Sequence, residues 1–322
     1  MAQSRKTLPF VLLAFASVGL AQEKPNPAGP AHPPWKLQGG YRVLDLSRVP
    51  IVIDQPGRYA IDRDWNVHVV EPGTLIHIVA DNVTVDFRGF AIAFDNQGEG
   101  IGIDGDAVSV RNGALMGNLF VDSLRSDGAE TTIDNMRILG DIAIRLRSDR
   151  ARVRNSSLGG RFGSVLGGDS AVAESNVFRC GPDAFCLEVG SEARVSGNHI
   201  SVGENGAVDV RGNRNIFADN IVDFIGAVAP VAFSVTGDGN LLRDNTVLVS
   251  GLDSSDVVFS VAGTANVLDG NISVPQTSAR GGVGISFAQD GNFHGDNRLG
   301  GVSEAIRENG TTQTAWGGTV AF

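Results

Sequence analysis

One asparagine returns at nearly constant spacing through most of this chain, and this repeat constrains the fold more than any other feature. The phrase GNLLRDN at 239–245 is followed 26 residues later by ANVLDGN at 265–271 and again by GNFHGDN at 291–297. Extended backwards, the series contains nine asparagines spaced 20 to 26 residues apart: Asn112, Asn135, Asn155, Asn176, Asn198, Asn220, Asn245, Asn271 and Asn297. A period of this length is typical of proteins built from stacked structural repeats.

Each period contains three short segments in which apolar and polar residues alternate. One precedes the asparagine (ARVRN, 151–155), one follows it (NTVLV, 245–249), and one lies about eleven residues before it (VAFSV, 231–235). Alternation over so few residues predicts strands, and the 42 glycines provide for tight turns between them. Three short strands cannot bury their own apolar faces, so successive coils must stack. The fixed leucines and the helix of a leucine-rich repeat are absent, and a propeller blade needs about 40 residues.

The repeat therefore predicts an all-β, single-stranded parallel β-helix of about ten coils, each rising about 4.8 Å. Asparagine suits the corner between two strands because it tolerates left-handed backbone angles. Its amide also donates and accepts, so stacked asparagines predict a hydrogen-bonded ladder along the axis. The sequons at Asn155 and Asn271 fall within this ladder, and we interpret them as structural rather than as glycan sites. Four coils carry a second asparagine five residues earlier: Asn215, Asn240, Asn266 and Asn292.

The chain resembles the right-handed parallel β-helix proteins of the pectate-lyase-like superfold. The resemblance rests on the recurring Gly-Asn-apolar-x-x-Asp/Gly-Asn pattern over residues 83–297. It also rests on the segments VIDQPGRYAIDRDW (52–65), IVADNVTVDFRGFAI (78–92) and VSVRNGAL (108–115). It implies a right-handed helix. Polysaccharide lyases, glycoside hydrolases, uronan epimerases, phage spikes and adhesins share this superfold, so the resemblance implies no single activity.

The amino-terminal segment has the features of a secretory signal. Arg5 and Lys6 precede an apolar run over residues 8–20, and Gly19 and Ala21 are small enough for signal peptidase. The run is shorter than the ~20 residues that span a bilayer. We therefore predict a secreted or periplasmic protein with no membrane span after cleavage. The predicted divisions are a signal peptide (1–21), a proline-rich tether (22–35), an N-terminal cap and first coil (36–80), the β-helix (81–300), and a last partial coil with a C-terminal cap (301–322).

The net charge limits the expected partners, and the two cysteines are interpreted in the light of predicted export. Without Arg5 and Lys6 the chain has 24 basic residues (26 less 2) against 36 acidic ones, a formal charge of −12. Nucleic acid is not expected as a partner, because binding it requires a basic face. In an exported protein Cys180 and Cys186 predict a short-loop disulfide, with two buried free thiols as the alternative.

Strand alternation places the outward side chains of successive coils in columns. One predicted column holds Arg145, Glu188, Asp209, Ser234, Ser260 and Ser286, with the coil near Leu166 ambiguous. A neighbouring column holds Arg147, Arg211 and Thr236. The same alternation predicts that Cys186 points outwards. It predicts inward side chains for Ile144, Leu146, Phe185, Leu187, Val189, Val208 and Val210.

Glu188 and Asp209 are the strongest candidates for chemistry. In adjacent coils, about 5 Å apart, two carboxylates repel by ~3 kcal/mol at an effective dielectric near 20. Arg211, a calcium ion bound by both carboxylates, or protonation of one acid would offset this repulsion. Calcium with arginine suits β-elimination on a uronate, and paired carboxylates suit retaining hydrolysis. A solvated surface charge network is the alternative without function.

We assign catalytic roles to Glu188, Asp209 and Arg211, and substrate binding to Arg145, Arg147 and Asp183. No cofactor is required by this assignment, although calcium fits it. His199, with Ser201 and Asp223 on the same sheet, is a weaker candidate for a base, and His68 and His77 are interpreted as structural.

Two functions remain open from the sequence. The first is an exported protein that binds or processes a polysaccharide or cell-surface glycan, with lyase-type cleavage of an acidic glycan favoured over hydrolysis. The second is a non-catalytic envelope, adhesion or matrix protein that binds glycan or protein. The DPHD motif of mannuronan epimerases and the paired aspartates of polygalacturonases are absent from the sequence, and lysine is scarce in the repeats.

Overall fold

The computed structural model describes residues 35–68, 73–95, 98–117, 122–181, 185–201, 206–225, 231–277, 281–309 and 312–321. The chain divides into two units, Met1–His32 and Pro33–Phe322, and every described residue belongs to the second. The predicted signal peptide and all of the predicted tether except Trp35 lie outside the described residues. Within the described part of the chain, no helix has the length and apolar character needed to cross a membrane.

A twelve-stranded parallel sheet forms one wall of the molecule, with one strand from each coil. Its strands are Ile51–Ile53, Thr74–Ile78, Glu99–Ile103, Asp122–Ser126, Ile142–Leu146, Ser164–Leu166, Leu187–Val189, Val208–Val210, Val231–Val235, Val257–Val261, Val283–Phe287 and Glu304–Arg307.

A second sheet of 24 strands provides the two walls on either side of the asparagine corner. The strands before the corner are Tyr41–Leu44, Gly57–Ala60, Val83–Asp86, Arg152–Arg154, Val172–Glu174, Arg194–Ser196, Ile216–Ala218, Leu241–Arg243, Val267–Asp269, Phe293–Gly295 and Thr314–Ala315. The strands after it are Trp65–Val67, Ala91–Phe94, Ser157–Gly160, Val177–Cys180, His199–Ser201, Ile221–Ile225, Thr246–Ser250, Ile272–Pro275, Arg298–Leu299 and Val320–Ala321. Ser109–Met116 and Thr132–Gly140 run through the corner. Trp35–Gln38 pairs antiparallel with Tyr41–Leu44, and a 3-10 turn follows at Leu46–Arg48.

The predicted fold class is confirmed. Equivalent strands of successive coils pair in parallel, and the twelve strands of the first sheet correspond to about eleven turns, close to the predicted ten. The apolar side chains fill the interior in stacked columns. Phe233 and Phe259, for example, stack with ring centroids 5.1 Å apart, and Phe217 meets Phe233 edge-on at 6.2 Å. A continuous core therefore joins coils that could not fold singly.

A ladder of buried asparagines closes the corner of the 24-stranded sheet in the later coils. The Oδ1 atom of Asn220 accepts hydrogen bonds from the backbone N–H of Asn198 at 3.1 Å and from its Nδ2 at 3.0 Å. The Nδ2 of Asn220 donates to the Val195 carbonyl and to Asn245 Oδ1. The same pattern links Asn176, Asn198, Asn220, Asn245, Asn271 and Asn297, all at most 1% exposed. Asn215, Asn240, Asn266 and Asn292 form a second ladder.

Asn112, Asn135 and Asn155 do not belong to this ladder, and their assignment to it was wrong. Their φ angles are +60°, +53° and +52°, so they occupy the left-handed position one residue before the ladder site. The ladder site that follows Asn155 is filled by Ser156, whose N–H donates to Asn176 Oδ1 at 3.0 Å. The tasks of adopting left-handed angles and of bridging coils are thus divided between adjacent residues. The sequon at Asn155 is accordingly exposed, whereas that at Asn271 is buried in the ladder.

Cys186 does not point outwards as the alternation predicted. It is 1% exposed, while Phe185, predicted to point inwards, is only half-buried. The N–H groups of Cys186 and Leu187 both donate to the carbonyl of Ala207, at 3.0 and 3.1 Å. Two residues opposite one form a bulge, and a bulge turns a side chain to the other face. The residues from Leu187 onwards follow the predicted alternation.

The buried ladder should contribute measurably to stability. Asn220→Ala removes the acceptor of the Asn198 backbone N–H and a donor to the Val195 carbonyl, and a buried group left unsatisfied costs about 1–3 kcal/mol. We expect a clear fall in the denaturant midpoint, measured by circular dichroism. Asn155→Gly is the matched control, because glycine keeps the left-handed turn and the lost amide is exposed. Equal midpoints for the two variants would contradict the division of tasks described above.

Candidate functional site

The outward column of the twelve-stranded sheet has the predicted register. Glu188 pairs with Asp209, Asp209 with Ser234, Ser234 with Ser260, and Ser260 with Ser286. Val165, and not Leu166, fills the coil that was ambiguous, between Arg145 and Glu188. Arg145 is therefore two coils from Glu188, about 10 Å at the spacing of paired strands. Two separate groups of charged residues lie on either side of Val165, each including members of this column.

The first group, called here the Arg211 triad, consists of Glu188, Asp209 and Arg211. Arg211 Nε lies 2.5 Å from Asp209 Oδ2, and its Nη1 lies 3.2 Å from Glu188 Oε2. The hydrogen bond and charge of Asp209 raise the pKa of Arg211 above its usual value. The side chain of Asp209 is only 6% exposed, so this guanidinium provides its charge compensation. Arg211, a calcium ion and protonation of one acid were the three predicted ways of offsetting the repulsion. The structure has Arg211 paired with both acids.

In the triad Arg211 takes the place beside Glu188 and Asp209 that a bound calcium ion would need. A calcium site needs six to eight oxygen ligands, and Arg211 lies against the oxygens that two of them would supply. In the described part of the chain, no group of three acidic, histidine or cysteine side chains is placed to hold a metal. Calcium binding by Glu188 and Asp209 stays a prediction.

The other predicted binding residues lie apart from the triad. Arg145 forms an ion pair with Asp122, at 3.0 Å from Nε to Oδ2, and Arg147 is exposed. Asp183 lies outside the described residues. Cys180 and Cys186 form a disulfide, with Cα atoms 5.2 Å apart.

The second group, called here the Asp122 cluster, contains Glu99, Asp122 and Asp141 together with three arginines. Arg125 Nη1 lies 2.8 Å from Glu99 Oε1, and Arg125 also binds Asp127. Arg145 pairs with Asp122, and Arg161 Nε lies 3.2 Å from Asp141 Oδ1. Because Leu124 pairs with Ile101, Asp122 lies in the coil next to Glu99, at the equivalent position. Asp122 pairs with Ile142, the residue after Asp141, so the cluster brings together carboxyl groups from three successive coils.

Asp122 is the carboxyl in this cluster whose protonation the surroundings favour. Burial raises the pKa of Asp122, Arg145 opposes this effect, and the charges of Glu99 and Asp141 raise the pKa further. Its side chain is 22% exposed, so a molecule on the sheet can reach it. A raised carboxyl pKa is the direction of shift that favours a general acid.

Asp122 and Glu99 were not among the residues predicted from the sequence. Both stand at the start of their strands, three residues before the column that contains Arg125 and Arg145. The recurrence of an acid in EGIGI and DSLRS, 23 residues apart, was the available signal. The desolvation that makes Asp122 unusual depends on its neighbours in three dimensions and has no sequence pattern.

His68, His77 and His199, which lie outside the site, each contact an aspartate. His199 Nε2 lies 2.8 Å from Asp223 Oδ2, and Ser201 Oγ donates to the same oxygen at 2.9 Å. His68 and His77 pair with Asp95 and Asp104 in the same way. The carboxylate lies between Ser201 and His199, so the histidine is not placed to take the proton of the serine hydroxyl.

Solved structures similar to this chain show the same fold. DFA-IIIase from Arthrobacter chlorophenolicus A6, in complex with GF2, has a TM-score of 0.57 and 12% identity, and the match covers 80% of this chain and 81% of that one. The Dettilon tailspike protein has a TM-score of 0.54 and 13% identity, and the match covers 82% of this chain and 59% of the tailspike. Both are right-handed parallel β-helix proteins. No protein-family model matches the chain, and no curated protein matches it.

The raised pKa of Asp122 predicts a specific dependence of stability on pH. The folded protein holds this proton more tightly than the unfolded chain, so the free energy of unfolding falls as pH rises through the interval between the two pKa values. The amide introduced by Asp122→Asn has no such proton to lose. We therefore expect wild type to gain stability relative to this variant on acidification, measured as the difference in Tm between the two proteins. A difference that is constant with pH would contradict the raised pKa.

The Arg211 triad predicts the opposite dependence. Arg211→Ala leaves the carboxylate of Asp209 buried without a partner, which should cost about 1–3 kcal/mol near neutral pH. The loss should shrink near pH ~2, where carboxyl groups are protonated. Arg147→Ala, an exposed arginine in the same column, is the matched control, and chemical denaturation at both pH values provides the measurement. A cost that persists at low pH would show that Arg211 acts by packing instead.

Proposed function

We propose that this protein binds a polysaccharide along the outward face of the twelve-stranded sheet and hydrolyses a glycosidic bond at the Asp122 cluster. The observation that carries the proposal is the half-buried carboxyl of Asp122, with its raised pKa, beside the ion-paired carboxylate of Glu99. A proton donor and a carboxylate on adjacent coils are the two groups that glycoside hydrolysis uses.

The spacing of the two carboxyl groups favours retention of configuration. Adjacent coils are about 4.8 Å apart, near the ~5–5.5 Å that separates the carboxyl groups of retaining glycosidases. Asp122 gives its proton to the glycosidic oxygen while the carboxylate of Glu99 bonds to the anomeric carbon, so the carbon–oxygen bond breaks and an alcohol leaves. Water then attacks the anomeric carbon, gives its proton to Asp122 and releases Glu99.

The ion pairs in the cluster support these roles. Arg125 and Thr74 each bond to one oxygen of Glu99, at 2.8 and 3.2 Å, and hold the carboxylate in one orientation. Arg145 forms an ion pair with Asp122, but its charge and that of Arg125 do not cancel the effect of burial on the pKa of Asp122. Arg147, exposed beside this group, is suited to contact an acidic group of the polysaccharide.

Lyase-type cleavage at the Arg211 triad is less well supported. Proton removal from the sugar requires a neutral base, and the pKa of Arg211 is raised by its bond to Asp209. The triad instead suits binding of the glycan chain. It lies two coils along the β-helix from Arg145. Its residues Glu188, Asp209 and Arg211 remain candidates for catalysis only if elimination products are found.

The fold also agrees with the proposal. The similar solved structures include a DFA-IIIase in complex with GF2 and a tailspike, which share the fold. A secreted or periplasmic location would bring the protein to extracellular glycans. The fold is compatible with several activities, so the weight of the proposal rests on the cluster.

The test separates hydrolysis, elimination and binding alone. The full chain is incubated with a panel of acidic and neutral polysaccharides, with added calcium and with chelator, and reducing ends and unsaturated ends are measured separately. We expect reducing ends to form without unsaturated ends. The rate at which they form should fall by more than about a hundredfold in Asp122→Asn and in Glu99→Gln. Glu192→Gln, an exposed acid away from the cluster, is the control and should keep full activity.

Other outcomes would overturn the proposal. Unsaturated products that disappear in Asp209→Asn would establish lyase chemistry at the triad. Binding without any turnover, unchanged in Asp122→Asn, would establish the non-catalytic adhesion or matrix function.

A further inference from the structure

A groove of about 780 Å³ lies at the asparagine corner of the amino-terminal coils, in the 24-stranded sheet and not in the sheet that carries the Asp122 cluster. It extends over four successive coils, about 14 Å at the spacing of paired strands. Polar groups from both walls of the corner line the groove. They include the side chains of Asp86, Arg88, Asn112, Asn135, Arg137 and Asn155.

Among the described coils, only these have an outward row of amides at the corner. Asn135 Nδ2 donates to Asn112 Oδ1 at 3.1 Å, and Asn112 Nδ2 donates to Asp86 Oδ1 at 3.2 Å. The Oδ1 atoms of Asn135 and Asn155 accept no hydrogen bond from any described residue. The row therefore presents acceptors and donors to a molecule in the groove, at intervals of one coil.

Later coils show that this row is not a requirement of the fold. Their left-handed corner residues are Ser175, Gly197, Asp219, Asp244, Gly270 and Asp296. Those coils place asparagine one residue further on, inside the core, where it bonds to the backbone. The amino-terminal coils satisfy the same turn with an asparagine whose amide faces the groove.

The groove is also more positive than the rest of an acidic protein. Asp86 is the one acid among its described lining residues, and this carboxylate already accepts bonds from Arg111 and Asn112. Arg137 is exposed and has no ion pair with any described residue. Arg88 lies over the ring of Tyr41, 4.7 Å from its centroid, at the edge of the same groove.

We propose that this corner groove binds an acidic oligosaccharide, with the asparagine amides bonding to sugar hydroxyls and Arg137 pairing with a carboxylate. Amides match hydroxyls because both donate and accept. The guanidinium fits a carboxylate with two parallel bonds. This binding site is independent of the proposed hydrolysis and would hold a glycan away from the Asp122 cluster.

Equilibrium titration with trimers of galacturonate and of mannuronate tests the proposal, with a neutral galactose trimer for comparison. Arg137→Ala should weaken binding of the acidic trimer about tenfold or more, as expected for loss of one charge-assisted bond. Asn135→Gly keeps the left-handed turn and should weaken binding less. Arg298→Ala is the matched control, because Arg298 stands in the same outward column of the same wall, beside a corner without an outward asparagine.

The comparison of Arg137→Ala with Arg298→Ala is repeated in the Asp122→Asn background and should give the same difference, so failure of the hydrolysis proposal leaves this test intact. Wild type that binds no acidic trimer would overturn the proposal. So would equal binding of the neutral trimer, equal loss in Arg298→Ala and Arg137→Ala, or wild-type affinity in both Arg137→Ala and Asn135→Gly.

Discussion

The buried amide ladder is the interaction on which the register of the later coils depends. Each ladder asparagine accepts the N–H of the previous coil and donates to a carbonyl there, so its amide connects two layers of backbone. An amide buried without these partners would carry a large desolvation cost. A coil can therefore vary in length from 20 to 26 residues, but its corner must return to the same place. That requirement aligns every residue counted from the corner with its equivalents above and below.

Because equivalent positions are aligned, a residue that differs from its equivalents in other coils changes the surface at a defined place. The outward columns of the 24-stranded sheet contain acids facing arginines one coil away, such as Asp86 with Arg111 and Asp134 with Arg154. Where such pairs are solvent-exposed, each contributes little to stability, and together they make the surface polar. The Asp122 cluster differs because its carboxyl groups lie on neighbouring coils and one is substantially buried. The corner groove differs because three coils use asparagine where the later coils use glycine, serine or aspartate.

The spacing of the repeat was enough to predict which residues of successive coils align, but not the local backbone and side-chain details. Counting from the asparagines placed Glu188, Asp209 and Ser234 in one column, and the structure has that register. Counting alone could not separate the two physical uses of asparagine, so Asn155 was assigned to the ladder that Ser156 occupies. It could not reveal the bulge that buries Cys186, because a bulge is a pattern of backbone hydrogen bonds.

The contrast between the Arg211 triad and the Asp122 cluster shows why distance between carboxylates is not enough to assign chemistry. Glu188 and Asp209 lie on adjacent coils, as Glu99 and Asp122 do. In the triad one guanidinium bonds to both acids, and the proton on that guanidinium is held more tightly as a result. In the cluster Arg125 bonds to Glu99, while Arg145 fails to offset the burial of Asp122 and the repulsion from two neighbouring carboxylates. The same spacing therefore places a guanidinium against both carboxylates of the triad, whereas in the cluster burial and neighbouring charges raise the pKa of one carboxyl, the direction that favours a proton donor.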